Sequence, residues 1–257
     1  MLKKTISKKA IFYPLAMLFA MWFFYFLQLH GFFESCNGAI IPLHPDGLKG
    51  ILFSPLLHGS LDHIIGNSLP MVILMFLLYQ FYPSIANKIF FTGWIAVGLL
   101  VWLLPPIDIM TGEYRYICIV GASGLVYVLA FFLFFSGVFR WNMKLLTISL
   151  LVVLYYGGLV WGIFPEEFFS NLNEPSKISW QAHLSGAIIG SIMAFMYKNI
   201  GDKKKKFIWE YPNYYSEKDD KLWQEYKENH PEDFSELPHK KKDDIWNRLD
   251  DLRKKEN

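Results

Sequence analysis

Six apolar runs, each of about 17 to 22 residues, constrain this chain more than any other feature. A bilayer's hydrocarbon core is about 30 Å thick, and a helix needs about 20 apolar residues to cross it. The runs fall at about 10–29, 63–81, 86–104, 121–139, 143–162 and 180–198. Hydrophobic residues make up 53% of the chain although its last fifty or so positions are strongly polar, so the apolar material lies upstream. The expectation is an all-α, polytopic bundle of six transmembrane helices over residues 10–199. A cytosolic N-terminus (1–9) and a small cytosolic helical tail (200–257) would flank it.

The first run follows Lys3, Lys4, Lys8 and Lys9. A cleaved signal peptide begins similarly, but its apolar stretch is usually only about 7 to 15 residues and ends at small residues. The run here ends in Gln28-Leu29-His30-Gly31-Phe32-Phe33 and offers no such site, so it reads as a retained span. The loop from His30 to Asp62 is rich in Gly and Pro yet apolar at Ile51-Leu52-Phe53, which suits an interfacial loop. Pro70 falls inside the second span, a break that membrane helices tolerate when neighbours satisfy the freed backbone.

Basic residues stay on the cytoplasmic side of short loops. The N-terminal lysines, Lys88, Arg140 with Lys144, and Lys198 with Lys203 to Lys206 alternate consistently for one side; the opposite loops hold only Lys49, Arg115 and Lys177. Both termini are therefore expected to be cytoplasmic, in a bacterial inner (plasma) membrane, with the lipid bilayer as the first partner. The net charge of +2 singles out no other partner, and nucleic acid is not expected. Cys36 and Cys118 are too few for a disulfide framework and leave the redox compartment open.

In the tail, Trp223 and Tyr226, then Ile245, Trp246, Leu249 and Leu252, recur at helical spacing, with Pro231 and Pro238 between the two pieces. The plain reading is a small helical appendage; a membrane-surface or partner-binding helix is the alternative. Glycine-rich mononucleotide loops and the H-E-x-x-H zinc motif are absent. His58, His63 and His183 have no carboxylate or cysteine at ligand-like spacing, so neither a metal nor any other cofactor is expected.

Polar side chains within apolar spans carry the functional reading, because they cost free energy unless they face a bundle interior or a wet cavity. His63 and Asn67 stand four residues apart and share a helix face. Interhelical hydrogen bonding would explain them alone, at roughly 0.6 kcal/mol each; together they also supply donors suited to a developing oxyanion. In the sixth run, His183, Gly186 and Gly190 share a face on which another backbone can approach closely. The natural neighbour is the helix opening Gly121-Ala122-Ser123-Gly124, which would bring His183 to Ser123. Histidine can then take the serine proton and return it to a leaving amine. Tyr127, one turn past Ser123, is an ordinary core aromatic or a support for that imidazole. Asp62, Glu113 and Glu166 lie in loops, so a Ser-His dyad is expected in place of a triad.

Taken in order, these motifs resemble those of the rhomboid family of intramembrane serine proteases. The family pattern is His-x4-His-x3-Asn at the second span, Gly-x-Ser-Gly opening the fourth and Ala-His-x2-Gly-x3-Gly in the sixth. This chain has His58, His63 and Asn67; Gly121, Ser123, Gly124 and Tyr127; and Ala182, His183, Gly186 and Gly190. The resemblance implies a cavity open to the exterior, with Ser123 as nucleophile and His183 as general base. It also implies an oxyanion hole from Asn67, His63 and the Ser123 backbone N–H, and transmembrane protein segments as substrates. Many members carry Trp-Arg about nine residues before the first histidine, where this chain has Lys49 and Gly50, so its first loop must be held differently. The alternative is a non-catalytic membrane chaperone or transmembrane-helix binder of the same fold. A transporter is disfavoured because the spans lack paired charges of the kind that mark ion pathways.

Overall fold

The computed structural model describes residues 6–33, 36–107, 112–114, 116–164, 179–200 and 217–234. Two compact units divide the chain, Met1–Lys205 and Lys206–Asn257. The first unit contains α1 (Lys8–Leu29), the short α2 (Gly50–Phe53), α3 (Leu61–Phe81), α4 (Ala86–Leu103), α5 (Ser123–Arg140), α6 (Met143–Tyr156) and α7 (Trp180–Met196). Among the described residues there is no strand, only isolated antiparallel bridges pairing Ile40 with Ile119 and Ile107 with Tyr114.

Among the described residues, four helices, α1, α3, α4 and α5, are long and apolar enough to cross a membrane. The fifth expected run is a 14-residue α6 that tightens into a 3-10 segment, Gly157–Ile163, and the sixth is the 17-residue α7. Helix starts follow local chemistry: the side chains of Ser60, Asn142 and Ser179 accept hydrogen bonds from the backbone N–H groups of His63, Lys144 and Ala182. These bonds satisfy donors that a helix start otherwise leaves unpaired. Pro70 and Pro14 both lie within unbroken helices.

The core is arranged around α5. Of its apolar window 67% is buried, against 22% for α1. Most of α1's large apolar side chains, among them Phe12, Phe19 and Phe26, point outward, as do Leu150 and Leu154 of α6. Such a surface suits lipid and not water. The chain is an integral membrane protein. α1 is held to α3 by the stacked rings of Tyr13 and Tyr79, 4.4 Å apart, and by Trp22 Nε1 donating to Ser68 Oγ. At the far end of α5, the buried Arg140 donates to the Tyr197 carbonyl at 2.7 Å and to that of Ile200, fastening the turn that follows α7. Arg140 thus ties the end of α5 to the chain leaving α7, where the Tyr197 carbonyl also accepts from the Ile200 N–H at 3.0 Å.

The first loop is held from several sides. Cys36 and Cys118 form a disulfide, next to the backbone pairing of Ile40 with Ile119. Lys49 Nζ donates to Asn37 Oδ1 at 2.7 Å. Gly50 packs against the backbone of Ala39 and Ile40, leaving no room for a side chain. From α4, Trp94 Nε1 donates to the Ile51 carbonyl and Trp102 Nε1 to that of His44. The first loop, with Lys49 and Gly50 where the sequence comparison expected Trp-Arg, is thus held by a disulfide, one lysine and two tryptophans of a neighbouring helix. Leu48, Leu52 and Phe53 stay exposed along this loop, which fits an interfacial setting.

In the second unit, α8 (Glu217–Asn229) stacks Trp223 on Tyr226 with ring centroids 6.0 Å apart, and a 3-10 turn starts at Pro231. The later helical piece around Ile245 to Leu252, together with Pro238, Arg115, Glu166, Lys177 and Lys203 to Lys206, lies outside the described residues.

Candidate active site

The turn before α5 has Gly121 at φ +115°, a conformation that residues with a Cβ rarely adopt. Its N–H donates to the Ser54 carbonyl at 2.8 Å, which joins the turn to the first loop. A methyl group at Gly121 would come to 2.5 Å from His63 Cε1, so the His63 ring lies directly against this turn. Ser123 follows as the first residue of α5, half-buried, where a helix's free N–H groups and positive dipole end favour developing negative charge.

Helix α7 reaches the same place by close packing on α5, the most extensive helix pair among the described residues. A Cβ at Gly186 would strike the Gly124 carbonyl oxygen, and one at Gly190 the Val128 carbonyl oxygen. The expected glycine face is therefore the contact face, and it faces the helix that begins at Ser123. His183, buried on α7, stacks on Tyr127 with ring centroids 4.2 Å apart and planes 9° from parallel. Its Nδ1 lies 2.8 Å from the Gly162 carbonyl oxygen of the 3-10 segment. Among the described residues no carboxylate pairs with His183.

On α3, Asn67 is buried, and one of its two amide hydrogens goes to the His63 carbonyl at 3.0 Å. His58, buried in the loop before α3, sets its ring edge-on to His63 at 5.1 Å, and its backbone N–H donates to Gln28 Oε1 of α1. Burial, reinforced by the adjacent His63, holds the His58 pKa down to about 4, so the ring is neutral at pH 7.

The structure thus brings His58 to His63, His63 to Gly121, Gly124 to Gly186, and Tyr127 to His183, four relationships across three helices and the segments that precede two of them. The Cys36–Cys118 bridge and the Gly162 carbonyl were not evident in the sequence. Two cysteines 82 residues apart carry no spacing signal, and a backbone acceptor carries none at all.

A sequence description of the Rhomboid domain matches residues 45–200. Uncharacterized proteins of Mycobacterium bovis and of Mycobacterium tuberculosis are each 35% identical to this chain over 171 residues, 66% of its length and 67% of theirs. One from Mycobacterium leprae is 32% identical over 165 residues, 62% of this chain and 60% of its own.

Proposed function

The chain belongs to the rhomboid family, and from that premise we propose that it is an intramembrane serine protease that cuts peptide bonds in or near transmembrane segments of other proteins. The fifth and sixth spans in this reading are α6 with its 3-10 extension and α7, so both termini share one side, which the basic residues of the short loops assign to the cytoplasm of a bacterial cell. The cavity then opens to the exterior. The observation that carries the reading is the Tyr127–His183 stack, one helical turn from Ser123 on a helix pair joined by glycine contacts.

Catalysis proceeds through a covalent acyl-enzyme. Ser123 Oγ attacks the scissile carbonyl carbon while its proton passes to His183 Nε2. The carbonyl oxygen becomes an oxyanion, met by the Ser123 backbone N–H, the His63 ring and the second amide hydrogen of Asn67. Collapse breaks the C–N bond, and the imidazolium returns its proton to the leaving amine. Water then attacks the Ser123 ester with His183 again as base, releasing the carboxylic acid and the free serine. A peptide bond within a helix is shielded by its own hydrogen bonds, so segments that unwind easily at the membrane surface are the natural substrates.

The test is cleavage of a model transmembrane substrate in liposomes by the full chain and by Ser123→Ala. Loss of the product bands in the variant is the expected outcome. Undiminished cleavage contradicts the assignment.

A further inference from the structure

We propose that the backbone carbonyl of Gly162 positions His183 as the base, in the role that an aspartate holds in a catalytic triad. The inference rests on the protease reading above and deepens it. Nδ1 of His183 lies 2.8 Å from this oxygen. A carbonyl oxygen has lone pairs and no hydrogen, so Nδ1 must be the donor. A neutral imidazole with its proton on Nδ1 has its lone pair on Nε2, the nitrogen that must accept the Ser123 proton.

The surroundings show why this carbonyl is the acceptor. Stacking on Tyr127 fixes the plane of the imidazole but leaves it free to flip between its two edges. A directional acceptor at one edge removes that freedom. Gly162 is also the residue that lets the acceptor come so close: a methyl on its α carbon would run into Tyr127 Oη and come to 3.0 Å from His183 Nδ1. Any larger residue at 162 must move the turn away from the imidazole. Gly162 belongs to the 3-10 segment Gly157–Ile163, so the base is set by three elements: α7 carries it, α5 stacks on it, and the extension of α6 orients it.

The tautomer can be read in the native protein, with the full chain in detergent micelles and its histidines labelled with 15N. His183 signals are assigned by comparison with His183→Gln. The expected result is a neutral ring with hydrogen on Nδ1 and a bare Nε2. A second measurement replaces Ile163 by its α-hydroxy acid analogue, which turns the 162–163 peptide bond into an ester and weakens the Gly162 carbonyl as acceptor while keeping every side chain. This should lower kcat about tenfold with KM little changed, as expected for one weakened hydrogen bond, and should perturb the Nδ1–H signal. The same ester one position earlier, which leaves the Gly162 carbonyl in an amide, should do neither.

Hydrogen on Nε2 in the native protein overturns the proposal. So does an ester at 162–163 that leaves both kcat and the Nδ1–H signal unchanged. If that ester variant does not fold, the native tautomer decides alone. A protein with hydrogen on Nδ1 that shows no proteolysis and no reaction of Ser123 with a fluorophosphonate overturns the proposal through its premise. A reactive Ser123 beside an Nε2–H tautomer overturns only the role of Gly162.

Discussion

The Tyr127 ring lies flat on the His183 imidazole, with centroids 4.2 Å apart and planes within 9°. That relationship gives Tyr127 a task a phenyl ring can perform as well. Tyr127→Phe should therefore keep proteolysis within about threefold of the parent, because the stacked face persists. Tyr127→Ala should lose about 10²-fold, the scale of cost for a misplaced catalytic group. The measurement is kcat on a transmembrane substrate. Equal losses in the two variants would assign the effect to the hydroxyl instead of the stack.

Close approach of α5 and α7 depends on missing side chains. Gly186→Ala would drive a methyl into the Gly124 carbonyl and to 2.7 Å from Tyr127 Cβ, where only backbone movement could make room. Overpacking of this kind costs about 1–3 kcal/mol, so the variant should melt at lower temperature in detergent and lose activity. Gly66→Ala, by contrast, adds a methyl to open space on α3 and should be tolerated. Similar behaviour of the two variants would argue against the α5–α7 contact.

The Cys36–Cys118 bridge ties the first loop to the segment leading into Gly121 across a separation of 82 residues. Closing so long a loop typically contributes about 2–4 kcal/mol. Cys36→Ala, Cys118→Ala and the double variant should be destabilised alike, and maleimide should modify the parent only after reduction. Thiols that react without a reductant would show that the bridge does not form.

His58 sets a pH dependence with a definite sign. Its pKa is about 4 in the folded protein against 6.5 for an unperturbed histidine. Between these values the unfolded chain binds the proton and the folded protein does not, so stability is full above about pH 6.5 and declines as pH falls toward 4. The contribution at stake is of order 3 kcal/mol. Thermal unfolding from pH 7 to 4.5 should show the decline, and His58→Asn should remove this part of the slope. A slope that is unchanged in His58→Asn would contradict it.

Spans and site were legible in the sequence to different depths, for physical reasons. Apolar runs marked α1, α3, α4 and α5 because crossing a bilayer demands length and hydrophobicity together. The run at 143–162 read as uniform, yet the chain tightens at Gly157, a change that an apolar count does not register. His183, Gly186 and Gly190 announced a contact face through helical spacing, and the glycines do meet the Gly124 and Val128 carbonyls. What held the first loop was hidden, because Trp94 and Trp102 look like ordinary apolar members of α4 until their indole N–H groups find the Ile51 and His44 carbonyls. Arg140, read from the sequence as a charge marking the loop between two spans, ends α5 buried and bound to the Tyr197 and Ile200 carbonyls, partners that no sequence spacing announces.

We propose Ser123 as a nucleophile activated by His183. A fluorophosphonate probe tests it directly, with the labelled residue located by peptide mass spectrometry of the full chain in detergent. A single adduct on Ser123 is expected, absent from Ser123→Ala and from His183→Ala while both variants remain folded. A folded parent protein that takes no label, or a Ser123 adduct that forms equally fast in His183→Ala, would contradict it.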